Sequence, residues 1–467
     1  MMLLSQAALV MGGRLVGEDV RSTGVSSDSR KLAKGDLFIA LRGEHFDGYE
    51  FVLTAAQAGA AASLVNADSY EKRSLNLEHG HPILLVGDTR FALGQLAAYW
   101  RKQFDIHLVA ITGSNGKTTV KEMLAGILRE ASGSDEAVLA TKGNFNNDIG
   151  MPLTLLQLNQ QHRYAVIEMG MNHPGEIDYL TRIAAPDVAL ITNASGAHLE
   201  GVGSVEAVAR AKGEIFAGLQ HHGTAVINAD DEHAPMWRAL AGAHQLLEFG
   251  LDVHADVNGT WHQQGYGLQL DVTAPQGMFA VDLHVPGVHN ARNALAATAA
   301  ACVLNVSLEK IAAGLEKFSG VAGRMQRKAA RRGATLIDDT YNANPASMRA
   351  AISVLAQAGG KRVLVLGDMG ELGDNAAAFH AEIGNEARLA GIDKLFALGA
   401  LSGNAVREFG SGARHFARIE DLQNALENEL AADTTVLVKG SRFMKMERVV
   451  EFLVGAIHEL PIIRGDS

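Results

Sequence analysis

The residues most suited to chemistry are Gly113-Ser114-Asn115-Gly116-Lys117-Thr118-Thr119. An apolar run, His107-Leu108-Val109-Ala110-Ile111-Thr112, precedes them, and a helical pattern from Val120 to Glu130 follows. A strand, a glycine-rich turn and a helix N-terminus make a phosphate cradle. Unpaired backbone N–H groups and the positive end of the helix dipole face the anion there. In such a loop Lys117 reaches the terminal phosphates and Thr118 holds Mg²⁺. The strict form carries a further glycine where Ile111 stands, so this is a shortened variant. No Asn-Lys-x-Asp guanine signal occurs, which speaks against a GTPase switch.

Other candidates sit where apolar runs end. Glu168 closes the run Tyr164–Glu168, and a carboxylate in the same sheet as the loop suits Mg²⁺ better than it suits a helix cap. His289 and Asn293 are four apart and share a helix face. Asparagine can read an adenine edge and histidine can stack or hydrogen-bond, while Asn290 is placed to cap that helix. Asp339 ends a later strand and can meet ribose or Mg²⁺ across a cleft. His198 and Lys212, taken alone, are a polar loop residue and a solvated lysine on a helix near 205–219. Of the basic cluster Arg324, Arg327, Lys328, Arg331 and Arg332, all but Arg324 fit a solvated linker face equally well.

The elements that must position these residues fall into three units. Residues 1–86 read as a small α/β unit, with strands Leu37–Leu41 and Ile83–Val86 and a helix from Thr54 that stops at Gly59. A helix over Phe91–Gln103 bridges to the next unit, 87–320. There, strands His107–Thr112, Ala137–Thr141, Tyr164–Glu168, Val188–Asn193 and Thr224–Asn228 alternate with helices, which argues a parallel, doubly wound sheet. Ligands bind outside the carboxyl ends of such strands. Period-two alternation within 246–286 predicts antiparallel strands at the margin of that sheet, followed by a helix over Asn290–Leu304. Residues 321–467 form a second α/β sheet, with strands Thr335–Asp338, Arg362–Leu366, Leu395–Leu398 and Thr435–Val438.

Composition agrees. The chain has 467 residues, room for about three domains. Hydrophobic residues at 47% and charged ones at 20% support buried cores and exclude a chain disordered overall. A net charge of −11 gives no global pull on nucleic acid or anionic membrane. The single cysteine, Cys302, excludes an internal disulfide and fits a reducing compartment. No apolar stretch reaches the length of a membrane span. The first basic residue, Arg14, lies behind the early apolar stretch, the reverse of a secretory leader. A cytoplasmic protein is expected.

In order along the chain, several motifs resemble those of the Mur ligase superfamily. They are the shortened phosphate loop; Thr141-Lys142-Gly143-Asn144-Phe145-Asn146-Asn147; Ile167-Glu168-Met169-Gly170; Asn193 through His198-Leu199-Glu200; Ala211-Lys212-Gly213-Glu214-Ile215; Gly287 to Asn293; and Gly323-Arg324-Met325. Asp28-Ser29-Arg30 and Gly35-Asp36-Leu37-Phe38-Ile39-Ala40-Leu41-Arg42-Gly43 are similar to the UDP-sugar-binding domain of that group. Asp338-Asp339-Thr340-Tyr341-Asn342-Ala343-Asn344-Pro345-Ala346-Ser347 is similar to the dipeptide-adding branch.

The resemblance implies a three-domain α/β protein. A central doubly wound P-loop-type sheet is flanked by a small N-terminal UDP-binding domain and a C-terminal Rossmann-like domain. It implies an ATP-dependent ligase joining D-alanyl-D-alanine to UDP-N-acetylmuramoyl-tripeptide, acting as a monomer. The implied ATP site is Gly113 to Thr119 with His289, Asn293, Arg324 and Asp339. The implied ligands for two Mg²⁺ ions are Thr118, Glu168, His198 and a carbamylated Lys212; Lys117, Glu168, His198 and Lys212 form the catalytic set. Ser29, Arg30 and Arg42 are candidates for the UDP diphosphate, Asn144 and Asn147 for the peptide or phosphate, and Asn342, Asn344 and Ser347 for the dipeptide. Rivals are the diaminopimelate- or lysine-adding and folate ligases of the same fold, a P-loop kinase, and a non-catalytic binding module.

Overall fold

In the computed structural model, residues 1–43, 46–73, 80–196 and 199–455 are described. The first sheet has five short strands in the order Arg14–Val16, Ile83–Val86, Ala62–Asn66, Leu37–Ile39, Val25–Ser26. All neighbours are parallel except the Arg14–Val16 edge. The helix expected from Thr54 begins at Val52 and ends at Gln57.

The central sheet runs Gln245–Phe249, Thr224–Asn228, Val188–Ile191, His107–Thr112, Tyr164–Glu168, Val138–Ala140, all parallel. Apart from the edge strand Gln245–Phe249, its strands are largely buried on both faces, which is why they read as apolar runs. Leu108 and Ala110 pack with Leu93, Leu96, Ile177 and Leu180 on one side. Val109 and Ile111 pack with Val120, Leu124 and the alanines of helix Val288–Val303 on the other. Helix Thr89–Arg101 also packs on Leu37, Ile39 and Leu84 of the first sheet, so it is the expected bridge.

The region 246–286 departs from expectation. Gln245–Phe249 is a parallel edge strand of the central sheet. The antiparallel strands Asn258–Gln264, Gly267–Ala274 and Gly277–Leu283 form a sheet of their own. Period two located their inward residues, Leu268, Leu270, Val272, Val281 and Leu283, but carries no information on which sheet a strand joins.

The last sheet has six strands, not the expected four: Gln326–Ala329, Thr335–Asp339, Thr434–Lys439, Lys361–Gly367, Lys394–Leu398, Ala413–Phe416. Both extra strands lie at edges, where one flank is open and charged residues replace an apolar run. Of the basic cluster, Arg327 and Lys328 lie on an edge strand and Arg331 and Arg332 in the 3₁₀ turn that follows it. Lys328 pairs with Asp338 at 2.6 Å and Arg327 covers the Tyr266 ring at 5.2 Å. Among the described residues no helix is long and apolar enough to cross a membrane.

Candidate active site

The strand His107–Thr112 lies between Tyr164–Glu168 and Val188–Ile191, where the order of the sheet reverses. A crevice opens at the carboxyl ends of the strands at such a point. Here it is a cavity of about 1700 Å³, and the C-terminal domain forms its far wall.

The loop turns on two glycines. Gly113 has φ +149°, and a Cβ there would lie 1.8 Å from Thr192 Oγ1; Gly116 has φ +83°, and its Cβ would lie 2.4 Å from Asn293 Oδ1. Neither position accepts another residue without displacing a neighbour. The helix starts at Lys117 and runs to Ser132. Its first N–H groups, those of Lys117, Thr118 and Thr119, therefore have no acceptor within the helix. Lys117 Nζ folds back onto the Gly113 carbonyl at 2.6 Å. Burial lowers its pKa, and Glu168 opposes that shift.

Glu168 is buried and held at both oxygens. Oε2 accepts from Thr118 Oγ1 at 2.7 Å and Oε1 from Asn146 Nδ2 at 2.8 Å. Its N–H donates to Thr141 Oγ1 at 2.9 Å. Arg324 crosses the domain junction: its Nη2 donates to Thr118 Oγ1 at 2.9 Å, and its guanidinium lies 4.0 Å from the Tyr341 ring centroid. Arg324 Nε is buried with no partner among the described residues, which leaves a donor for an anion. The adjacent hydroxyl and carboxylate of Thr118 and Glu168 are hard oxygen donors, the type Mg²⁺ takes.

His289 and Asn293 line the same cavity. Burial pushes the His289 pKa down to about 4, and the cations Lys439 and Arg292 add to that. Asn293 Nδ2 donates to Asn290 Oδ1 at 3.1 Å. Asn290 does not cap the helix as expected. Gly287 is the N-cap, and Asn290, inside the first turn, donates to the Pro286 carbonyl at 2.7 Å. Asp339 is buried, which raises its pKa; Lys439 opposes this through an ion pair of 2.6 Å.

Asn144, Asn147, Asn342, Asn344 and Ser347 also line the cavity. Three of them have structural duties. Asn147 Oδ1 accepts from Gly150 N at 2.9 Å, and Asn344 with Ser347 forms the capping box of helix Pro345–Ala356. Ser29, Arg30 and Arg42 lie in the first domain, away from this cavity; Arg30 is exposed and bound twice to Asp28. Lys212 lies on helix Val205–Gly213, which continues as a 3₁₀ turn rather than an α-helix to Leu219. It is 1% exposed. Burial, then the charge of Lys117, lowers its pKa well below the ordinary value, and no counter-ion reaches it among the described residues. His198 lies outside the described residues. Sequence reasoning assigned no role to Asn146, Lys439 or Arg292. Lys439 was visible as the polar end of the strand Thr434–Lys439, but its partner Asp339 is 100 residues away.

Three family models cover most of the chain: the Mur ligase family catalytic domain over residues 21–101, the Mur ligase middle domain over 111–301 and the Mur ligase glutamate ligase domain over 323–442. The chain belongs to the Mur ligase family. Within it, the chain is of the MurF type. It is 42% identical to the UDP-N-acetylmuramoyl-tripeptide–D-alanyl-D-alanine ligase of Escherichia coli K12, over 96% of this chain and 98% of that one. The MurF crystal structure from Acinetobacter baumannii superposes with a TM-score of 0.87 at 37% identity, over 96% and 97% of the two chains. The MurF ligase of Thermotoga maritima, solved with ADP, gives 0.79 at 27% identity, over 92% and 96%.

Proposed function

We propose that the chain joins D-alanyl-D-alanine to UDP-N-acetylmuramoyl-tripeptide at the expense of ATP, yielding the pentapeptide precursor of peptidoglycan, ADP and phosphate. The carrying observation is that a phosphate loop faces, across one cavity, an amide-rich turn of another domain. A carboxylate is a poor acylating agent because oxide is a poor leaving group. Attack of the tripeptide carboxylate on the γ-phosphorus releases ADP and gives an acyl phosphate. The dipeptide amine then attacks the acyl carbon, and phosphate leaves. Both early reactants are anions, so Lys117, the loop N–H groups and Arg324 serve to offset their repulsion. Mg²⁺ would add positive charge at the phosphates, held by Thr118 and Glu168, with His198 and Lys212 as further candidates.

Lys212 supports the carbamate reading. A buried lysine kept neutral is the form that adds CO₂, and the product would turn repulsion from Lys117 into attraction. His289 and Asn293 serve the adenine, Asp339 the ribose, and Asn144, Asn147 and the 342–347 turn the peptides. Ser29, Arg30 and Arg42 serve the UDP moiety, which lies beyond the nucleotide cavity. Domain boundaries after residues 86 and 320, a monomeric state and a cytoplasmic setting complete the proposal. The test is phosphate release from Mg·ATP. It is expected with UDP-N-acetylmuramoyl-tripeptide plus D-Ala-D-Ala, and not with diaminopimelate or lysine plus the dipeptide precursor, nor with glutamate plus folate. The reverse pattern overturns the acceptor, and no release with any pair overturns the ligase.

A further inference from the structure

Three consecutive residues of the C-terminal domain are each held by a different partner. The Asn342 carbonyl accepts from Lys439 Nζ at 2.9 Å, and the Ala343 carbonyl from Ser441 Oγ at 3.1 Å. Both partners belong to the same domain. Asn344 reaches out of it, and its Nδ2 donates to Asn115 Oδ1 at 2.9 Å.

Asn115 is the middle residue of the phosphate loop, and it is fixed from several sides. Its Nδ2 donates to Ser195 Oγ at 2.9 Å and its N–H to Asn193 Oδ1 at 3.0 Å. Its carbonyl accepts from Thr192 Oγ1 at 2.6 Å and from Asn193 Nδ2 at 3.0 Å. The Asn344 amide is oriented as well, because its Oδ1 accepts the Ser347 N–H at 2.8 Å in the capping box. With that oxygen committed, only the NH₂ end can face Asn115. The bond thus runs from one rigid element to another, across the domain junction.

We propose that Asn344 is a positioning residue for the ligation, acting through Asn115. It sets the register between the turn that receives the dipeptide and the loop where the acyl phosphate forms. This rests on the ligase reading above. The reason is geometric: a nucleophile must be held at roughly 3–3.5 Å from its target atom to gain from proximity. Arg324 also joins the domains, through Thr118 and the Tyr341 ring, but its hydrogen bond to the loop helix ends on Thr118 and not on the 342–344 turn.

Asn344→Ser is the informative change. Serine caps a helix as well as asparagine does and adds no charge beside the phosphates, but it lacks the amide donor. The expected result is a roughly fivefold to tenfold loss in kcat/KM for the dipeptide, the scale of one hydrogen bond. ADP affinity and melting temperature should match wild type. Small-angle scattering of the nucleotide-bound protein should give a larger radius of gyration. In an Asn115→Ala background the same change should cost nothing further, because the partner is already gone. Asn344→Thr, which also keeps a cap and lacks the amide donor, should repeat the kinetic loss. Additive losses in the double variant, or wild-type kinetics with an unchanged radius, overturn the proposal. Should the wild type release no phosphate with the dipeptide, the ligase reading fails on its own, and the scattering comparison still decides the contact.

Discussion

Two bases of the central domain, Lys212 and His289, each make a separate prediction. Lys212 has no anionic partner among the described residues and feels Lys117, so its neutral form is favoured. Lys212→Ala should abolish turnover without unfolding the protein. Short carboxylates added to the variant should restore part of the activity, and wild type stripped of CO₂ should regain activity on adding bicarbonate. Full activity of the alanine variant would remove the carbamate from the reaction. His289 makes a prediction about stability. Its pKa falls from 6.5 to about 4 on folding. The unfolded chain therefore takes up a proton first as pH drops, and the folded state loses stability between those two values. At 1.36 kcal/mol per unit the loss is at most about 3 kcal/mol, and less for a side chain partly open to the cavity. Chemical denaturation at pH 7 and pH 4 should show this slope in wild type and a shallower one in His289→Gln. Equal slopes would place the titration elsewhere.

The shortened phosphate loop is braced at its middle by other elements. Asn193 and Thr192, from the end of the strand Val188–Ile191, bind Asn115; Asn293, from helix Val288–Val303, packs on Gly116. Gly116→Ala tests that bracing. The left-handed φ strains an alanine by about 1–2 kcal/mol, and the new methyl must push Asn293 aside. Titration calorimetry should show ADP binding weakened at least about tenfold, more than the strain alone, while the melting temperature drops by only a few degrees. An unchanged ADP affinity would mean that Asn293 does not contact the nucleotide. The periodicities that mark strands and helices were plain in these segments, since a strand buried on both faces must be apolar throughout. The edge strands Gln326–Ala329 and Ala413–Phe416 carried no such signal, because half their surroundings are solvent.

At the scale of the molecule, the C-terminal domain hangs on a short junction. Gly323 at φ +70° and Met325 at φ +53° turn the chain there. Tyr266, from the separate antiparallel sheet, donates its hydroxyl to the Met325 carbonyl at 2.9 Å. That hairpin braces the junction at a second point, separate from Asn115. Tyr266→Phe removes a hydrogen bond worth about 1 kcal/mol and leaves the ring in place under Arg327. Hydrogen exchange should quicken over 321–327 while the strand His107–Thr112 stays protected. Unchanged exchange at the junction would show that the brace carries no load.

The sequence alone singled out the candidate residues for chemistry in the central domain. A phosphate loop, its lysine and a strand-end carboxylate are local patterns, set by what one strand, one turn and one helix N-terminus require. It also determined the alternation of strands and helices, because burial imposes a period on each. Only the tertiary structure decided who holds whom. Asn146 on Glu168, Lys439 on Asp339 and Asn344 on Asn115 are pairs separated by 22, 100 and 229 residues. A hydrogen bond between distant side chains leaves no period and no composition bias in the chain. It exists only where two strand ends and a domain junction bring its donor and acceptor together.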